Sequence, residues 1–211
     1  TPLFMLNAVS SRRVRLKLDS AHPVGAAHHQ KIIVIDDCLA FCGGIDMTAD
    51  RWDTPEHRDR DARRVQPSGR AYAPWHDATT AVDGDLAHGL GELARERWRL
   101  GTGERLAPLP MDLDCWPREL SPTFENVDLG IARTLPQQEG QPEVREIEAL
   151  YLAAIRQARR TIYFESQYLA CRKIAEALAR RLSEAEGPEI VIVLPKTTDG
   201  WLEEKTMGGA R

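Results

Sequence analysis

His28-His29-Gln30-Lys31-Ile32-Ile33-Val34-Ile35-Asp36, followed shortly by Gly43-Gly44-Ile45-Asp46, is the stretch on which the reading of this chain turns. Residues 32–35 are continuous, β-branched and apolar, the pattern of a strand in a sheet interior. Asp36-Asp37 reads as a tight turn into another strand over residues 38–42, which Gly43-Gly44 ends. Side chains two apart on a strand face the same way, so His29 and Lys31 project together. An imidazole beside an ammonium suits attack on a phosphodiester: the ammonium neutralises phosphate oxygens while the neutral ring attacks phosphorus or moves a proton. Asp36 stands an odd number of residues from His29 and is expected to fix the turn rather than touch a reacting group. Gly43 and Gly44 permit close backbone approach, and Asp46 just beyond can return toward the site.

Working outward, Val14, Leu16 and Leu18 alternate with Arg13, Arg15 and Lys17, the period-2 pattern of a half-buried strand. Residues 49–73 are mostly charged or turn-forming and read as a long surface loop, a feature more often functional than idle. A strand over 77–82 leads into a helix with Leu86, Leu90, Leu93 and Trp98 on one face, stopped by Gly101 and Gly103. Prolines 108, 110, 117, 122, 136 and 142 then mark a boundary. The reading is a first unit over 1–107, a Pro-rich linker over 108–128 and a second unit over 129–211 that opens with a short strand at 129–133. In the second unit Val144, Ile147, Tyr151, Ile155 and Ala158 line one helical face. A strand at 161–165, a helix through Ile174, Leu178 and Leu182, a buried strand at 189–194 and a last helix over 201–207 follow. Helices alternating with strands at these spacings predict an α/β layered sheet. A first strand without a preceding helix and a last helix barely begun give the expectation that the sequence is cut from a longer chain.

The 211 residues carry 28 basic and 32 acidic side chains, a formal charge of −4, which argues against a nucleic-acid binder working by bulk positive charge. Apolar runs are strand-sized, whereas a membrane span needs roughly 20 residues. Cys38, Cys42, Cys115 and Cys171 are too few and scattered for a disulfide scaffold, so a reducing compartment is the expectation. Cys38 and Cys42 on one strand would stand roughly 13 Å apart, too far to share a zinc ion, and no metal is expected.

The motif supports a family assignment. His29-x-Lys31-x4-Asp36-x6-Gly43-Gly44-x-Asp46 resembles the HxKxxxxD signature of the phospholipase D superfamily and the glycine pair after it. A chance match of those positions is on the order of 10⁻⁴. Arg51-Trp52-Asp53-Thr54 and Pro74-Trp75-His76-Asp77 resemble the first half of phospholipase D enzymes proper. Ile162-Tyr163-Phe164-Glu165-Ser166-Gln167-Tyr168 resembles the opening of their second half, where the family usually has Asn at the position of Ser166. The resemblance implies an α/β layered sandwich with a mixed sheet, incomplete here and holding parts of two repeats. It implies a phosphodiesterase or transphosphatidylase acting on glycerophospholipids through a phosphohistidine, without a cofactor. Carried over by position, His29 is nucleophile or acid/base, Lys31 binds phosphate, Asp36 supports the motif and Asp77 orients the imidazole. Gly43, Gly44, Asp46, Glu165 and Gln167 are candidate substrate contacts, Asp46 standing where many relatives have Asn. Such enzymes need two motif copies and this chain has one, so the expected partner is a second half, either in a missing C-terminal part or on a second chain. A phospholipid substrate, peripheral membrane contact and a cytoplasmic or membrane-surface location complete the expectation. Its rivals are a single-motif nuclease-like homodimer and a non-catalytic membrane-associated remnant.

Overall fold

The computed structural model describes residues 13–24, 26–110, 114–138 and 140–195. They fall into two units that meet in sequence between Ile131 and Ala132. The α/β class is borne out, with the strands gathered into three small sheets.

In the first unit, β1 (Ile32–Ile35), β2 (Leu39–Gly43) and β3 (Thr79–Asp83) form an antiparallel sheet in that order. Asp36 and Asp37 both adopt left-handed φ, 50° and 55°, and Cys38 N–H donates to the Ile35 carbonyl at 3.1 Å. Both central residues of the β-turn over 35–38 are therefore left-handed, a conformation that Asp is among the few side chains to tolerate, and Cys38 adds a third loop residue before pairing begins. The turn fixes the register, Ile32 opposite Cys42 through Ile35 opposite Leu39. Helix α1 (Gly84–Thr102) starts directly after β3 and ends at Gly103, whose φ of 77° lets its N–H close on the Arg99 carbonyl. It lies on the sheet face made by Ile32, Val34, Ala40 and Val82, where Ala40 meets Ala87 and Leu90. Two alanines at the contact let helix and sheet approach closely. The expectation that residues 32–35 lie in a sheet interior is corrected: Ile33 and Ile35, on the opposite face, are 38% and 43% exposed, and β1 is an edge strand among the described residues.

Two further expectations fail here for physical reasons. Residues 13–18 form no strand, and Val14, Leu16 and Leu18 are exposed. Their extended course is held instead by Arg15, which pairs with Glu104 and stacks 4.8 Å from the Trp98 ring centre. Second, the four cysteines are not all free thiols. Cys38, immediately after the turn, is disulfide-bonded to Cys115, with their Cα atoms 5.8 Å apart, while Cys42 and Cys171 remain free and exposed.

The second unit opens with a short antiparallel pair, β4 (Thr134–Leu135) and β5 (Val144–Arg145), so the strand expected at 129–133 begins later. Helix α2 (Glu146–Gln157), β6 (Thr161–Glu165), α3 (Arg172–Leu182) and β7 (Glu189–Val193) follow, β6 and β7 running parallel. Ile155, Ile174, Ala177 and Leu178 form the core, closed by Leu152, Ile162, Phe164, Leu169 and Ile190. The predicted helical face is corrected: Val144 belongs to β5, Ala158 follows the helix, and Ile147 and Tyr151 stay exposed while Leu152 and Ile155 turn inward. Among the described residues β7 is not the buried strand expected: Ile190 packs on the core, while Val191, Ile192 and Val193 are exposed. The helix expected at 201–207 lies outside the described residues.

Candidate active site

The β1–β2 ladder runs one residue past β1, with Gly43 N–H donating to the Lys31 carbonyl at 3.4 Å, and Gly43 pairs with Thr79 on its other side. Lys31, Gly43 and Thr79 therefore form one row across the sheet. By alternation Lys31 shares its face with Ile33 and Ile35, opposite α1. Its ammonium turns back along its own strand, donating to the His29 carbonyl at 3.1 Å and lying 3.2 Å from Asp46 Oδ1. The cation is thus held beside the motif histidine by a carboxylate arriving just after the glycine pair. The His29 ring is exposed and has no polar partner among the described residues, whereas His28 is half-buried on other contacts.

The glycine pair has a steric cause. A Cβ on Gly43 would lie 2.6 Å from Thr79 Cα, and one on Gly44 would lie 3.0 Å from Asp77 Cγ. Both residues let the approach to β3 run against the end of β2, and Gly44 N–H continues that ladder to the Ala78 carbonyl at 3.1 Å. The Asp77 carboxylate rests on Gly44 and accepts the Ala78 N–H at 2.7 Å; it makes no hydrogen bond to the His29 ring among the described residues. Asp36 occupies the exposed first position of the turn.

The loop before Asp77 is tied down from within, a feature that the sequence reading missed. Arg64 is 1% exposed and spends its guanidinium on Asp53 Oδ1 at 3.0 Å and on the carbonyls of Arg58 and Asp59 at 2.5 and 2.8 Å. Asp53 also accepts the N–H groups of Thr54 and Trp75, both at 2.8 Å, and faces His57 Nδ1 at 3.2 Å. Burial alone would favour the neutral acid. Those backbone donors with Arg64 and His57 outweigh it and hold the Asp53 carboxyl well below the usual range. Arg51 lies 3.8 Å over the Trp75 ring, and His76 Nδ1 is 3.5 Å from His57 Nε2. The chain leading into Asp77 is therefore fixed by a buried ion pair. The sequence signal for it is faint, because Arg64 is one of six arginines and Asp53 one of four aspartates in residues 49–73.

A second missed residue is Asp37. It is buried, bonds Arg95 of α1 at 2.5–2.6 Å and accepts the Leu109 N–H at 2.9 Å. Burial opposes its ionisation, and Leu109 and Arg95 reverse that, lowering its pKa. With the Cys38–Cys115 bond, the turn is joined to the Pro-rich segment at two consecutive residues. A cavity of about 340 Å³ lies at this end of β1, lined by Asp37, Cys38, Asp83, Gly84, Asp85, Asp114 and Cys115; neither His29 nor Lys31 lines it.

Glu165 and Gln167 stand in the second unit, both exposed, at the end of β6 and just past it. Glu165 accepts the Tyr163 hydroxyl at 3.0 Å, and that bond raises the phenol's pKa. Ser166, between them, donates to the Tyr168 carbonyl at 3.0 Å.

A family model described as Phospholipase D matches residues 9–126, more than half of the chain and all of the first unit's sheet and helix. The chain belongs to the phospholipase D family. Among its relatives, phospholipase D alpha 1 of Vigna unguiculata is 30% identical over 196 residues, covering 67% of this chain and 24% of that protein. The Ricinus communis protein of the same name is 29% identical over 195 residues, with the same coverage. Phospholipase D A of Dictyostelium discoideum is 24% identical over 249 residues and covers 94% of this chain but 19% of its own length. The chain thus spans about a quarter of the length of the relatives that it matches. No described helix is long and apolar enough to cross a membrane.

Proposed function

We propose that this chain carries one catalytic half of a phospholipase D-type phosphodiesterase acting on glycerophospholipids, with His29 as the reacting group. The observation that supports the reading best is the Lys31 ammonium folded back onto the His29 carbonyl and balanced by Asp46. In the first step a ring nitrogen of His29 donates its lone pair to phosphorus. The bond from phosphorus to the leaving alcohol's oxygen breaks, and that oxygen takes a proton from an acid in the second half. Lys31 offsets the charge developing on the non-bridging oxygens, so the reading needs no metal ion. In the second step water, or another alcohol, attacks phosphorus, its proton passes to the same base, and the phosphorus–nitrogen bond breaks. Asp77 is assigned to orient the imidazole; in this reading its carboxylate leaves the Ala78 amide when substrate binds. Gly43, Gly44 and Asp46 border the phosphate, and Asp36 maintains the turn that fixes the register. Glu165 and Gln167 are assigned to the second repeat's contribution to the site. The second motif comes from further C-terminal sequence or from a second chain, and the substrate is met at a membrane surface.

The test is turnover of phosphatidylcholine by the full-length protein carrying this sequence. His29→Ala should lower kcat by about 10²–10⁴-fold or more. Unchanged turnover would end the reading, and cleavage of DNA in preference to phosphatidylcholine would replace it with a nuclease.

A further inference from the structure

The two neighbours of His29 are held by a single side chain. Arg97, in the third quarter of α1, donates to His28 Nδ1 at 2.6 Å, to Gln30 Oε1 at 2.9 Å and to Asp19 Oδ2 at 2.7 Å. Asp19 Oδ2 in turn lies 3.3 Å from His28 Nε2, and the His22 ring packs edge-on to His28 with centroids 5.2 Å apart. Residues 28–31 precede β1; Arg97 draws 28 and 30 to the α1 side, while Lys31, by the alternation of the strand it enters, lies on the other. A grip on 28 and 30 from the helix side therefore settles which way 29 and 31 point.

We infer that Arg97 is a positioning residue for the reaction, clamping His28 and Gln30 to α1 so that His29 and Lys31 are presented together on the opposite face. The inference rests on the assignment of His29 proposed above. Guanidinium carries donors only, so His28 Nδ1 must accept with its lone pair, and its proton sits on Nε2 toward Asp19. The clamp thus requires a neutral His28 in one tautomer. Asp19 completes it: burial disfavours the ionised carboxyl, but the Ala21 N–H and the Arg97 guanidinium keep its pKa below the ordinary value. Arginine is needed because its planar fork reaches three acceptors at once, whereas a lysine ammonium offers one point of charge on a flexible stem. The guanidinium, Asp19 and His28 are each about one-fifth to one-quarter exposed, so the contacts are screened from bulk water without being sealed.

The experiment compares Arg97→Gln, Arg97→Lys and Arg99→Gln in the full-length protein, with phosphatidylcholine vesicles as substrate and ¹⁵N spectra of the histidine rings. Arg99 serves as control because, among the described residues, its side chain pairs only with Glu96 on the helix surface. Both Arg97 variants should lose at least tenfold in kcat with KM within twofold, the Nε2–H signature of His28 should disappear, and Arg99→Gln should match the parent. Should Arg97→Gln fail to fold, Arg97→Lys, which keeps charge and stem, carries the test alone. Parental kcat in the Arg97→Lys variant, or a loss confined to KM, overturns the inference while an inactive His29→Ala leaves the reading of His29 standing. An active His29→Ala overturns the reading beneath it.

Discussion

Gly43→Ala and Gly44→Ala look like the same conservative change made twice, yet the structure separates them. At Gly43 the new Cβ would sit 2.6 Å from Thr79 Cα, a backbone atom of the paired strand. Ordinary contact needs about 3.4–4 Å, so β2 and β3 must part by about 1 Å at the row that also contains Lys31. Backbone cannot rotate out of the way, and overpacking of this kind costs about 1–3 kcal/mol. At Gly44 the obstacle is the Asp77 carboxylate, the free end of a side chain. A χ1 rotation clears it at the cost of one exposed hydrogen bond to Ala78, about 1 kcal/mol or less. Urea unfolding followed through tryptophan fluorescence should place Gly43→Ala well below the parent and Gly44→Ala close to it. Equal midpoints for the two variants, or a Gly44→Ala that is the worse, would refute the reasoning from close approach.

Two further predictions concern the supports of the site. Asp19, Asp37 and Asp53 have depressed pKa values, and hydrogen bonding to Arg63 draws Asp61 down to about 2. Groups depressed on folding contribute stability that is complete above their unfolded pKa of about 4 and is lost as pH falls through the folded one. Urea midpoints should therefore be level above about pH 5 and decline from about pH 4 toward 2, more shallowly in Asp53→Asn; a rise on acidification contradicts this. Reducing the Cys38–Cys115 bond, or making Cys115→Ser, opens a loop with a sequence separation of 77 and should lower stability by up to about 4 kcal/mol. Thiol titration of the unfolded, unreduced chain should find only Cys42 and Cys171, and four reactive thiols would exclude the bond.

The hairpin that presents the motif was legible because its signals are local. An apolar β-branched run, two turn-forming aspartates and a glycine pair each have one cheap conformation, and only the register differs, because Cys38 joins the turn and β2 runs one residue later than 38–42. The same holds for β6, α3 and β7, where period and length agree. What could not be read were partners far apart in sequence. Nothing in residues 13–18 says that Arg15 will find Glu104 and Trp98 in place of a neighbouring strand. Nothing around Cys38 points to Cys115. Arg64, Arg95 and Arg97 carry no local signal of burial, yet each is turned onto a carboxylate well separated from it in the sequence. The motif pointed to candidate groups, and contacts distant in sequence hold the residues around them.

The arginine fork on α1 also limits how this sequence can diverge. An α-helix turns about 100° per residue, so one residue gained or lost between Leu90 and Arg97 would leave Leu90 seated and swing the guanidinium away from His28. Insertions in the 49–73 loop carry no such phase error. Among descendants of this fold, length variation should accumulate in that loop, while the window from Leu90 to Arg97 tolerates substitutions but not gaps.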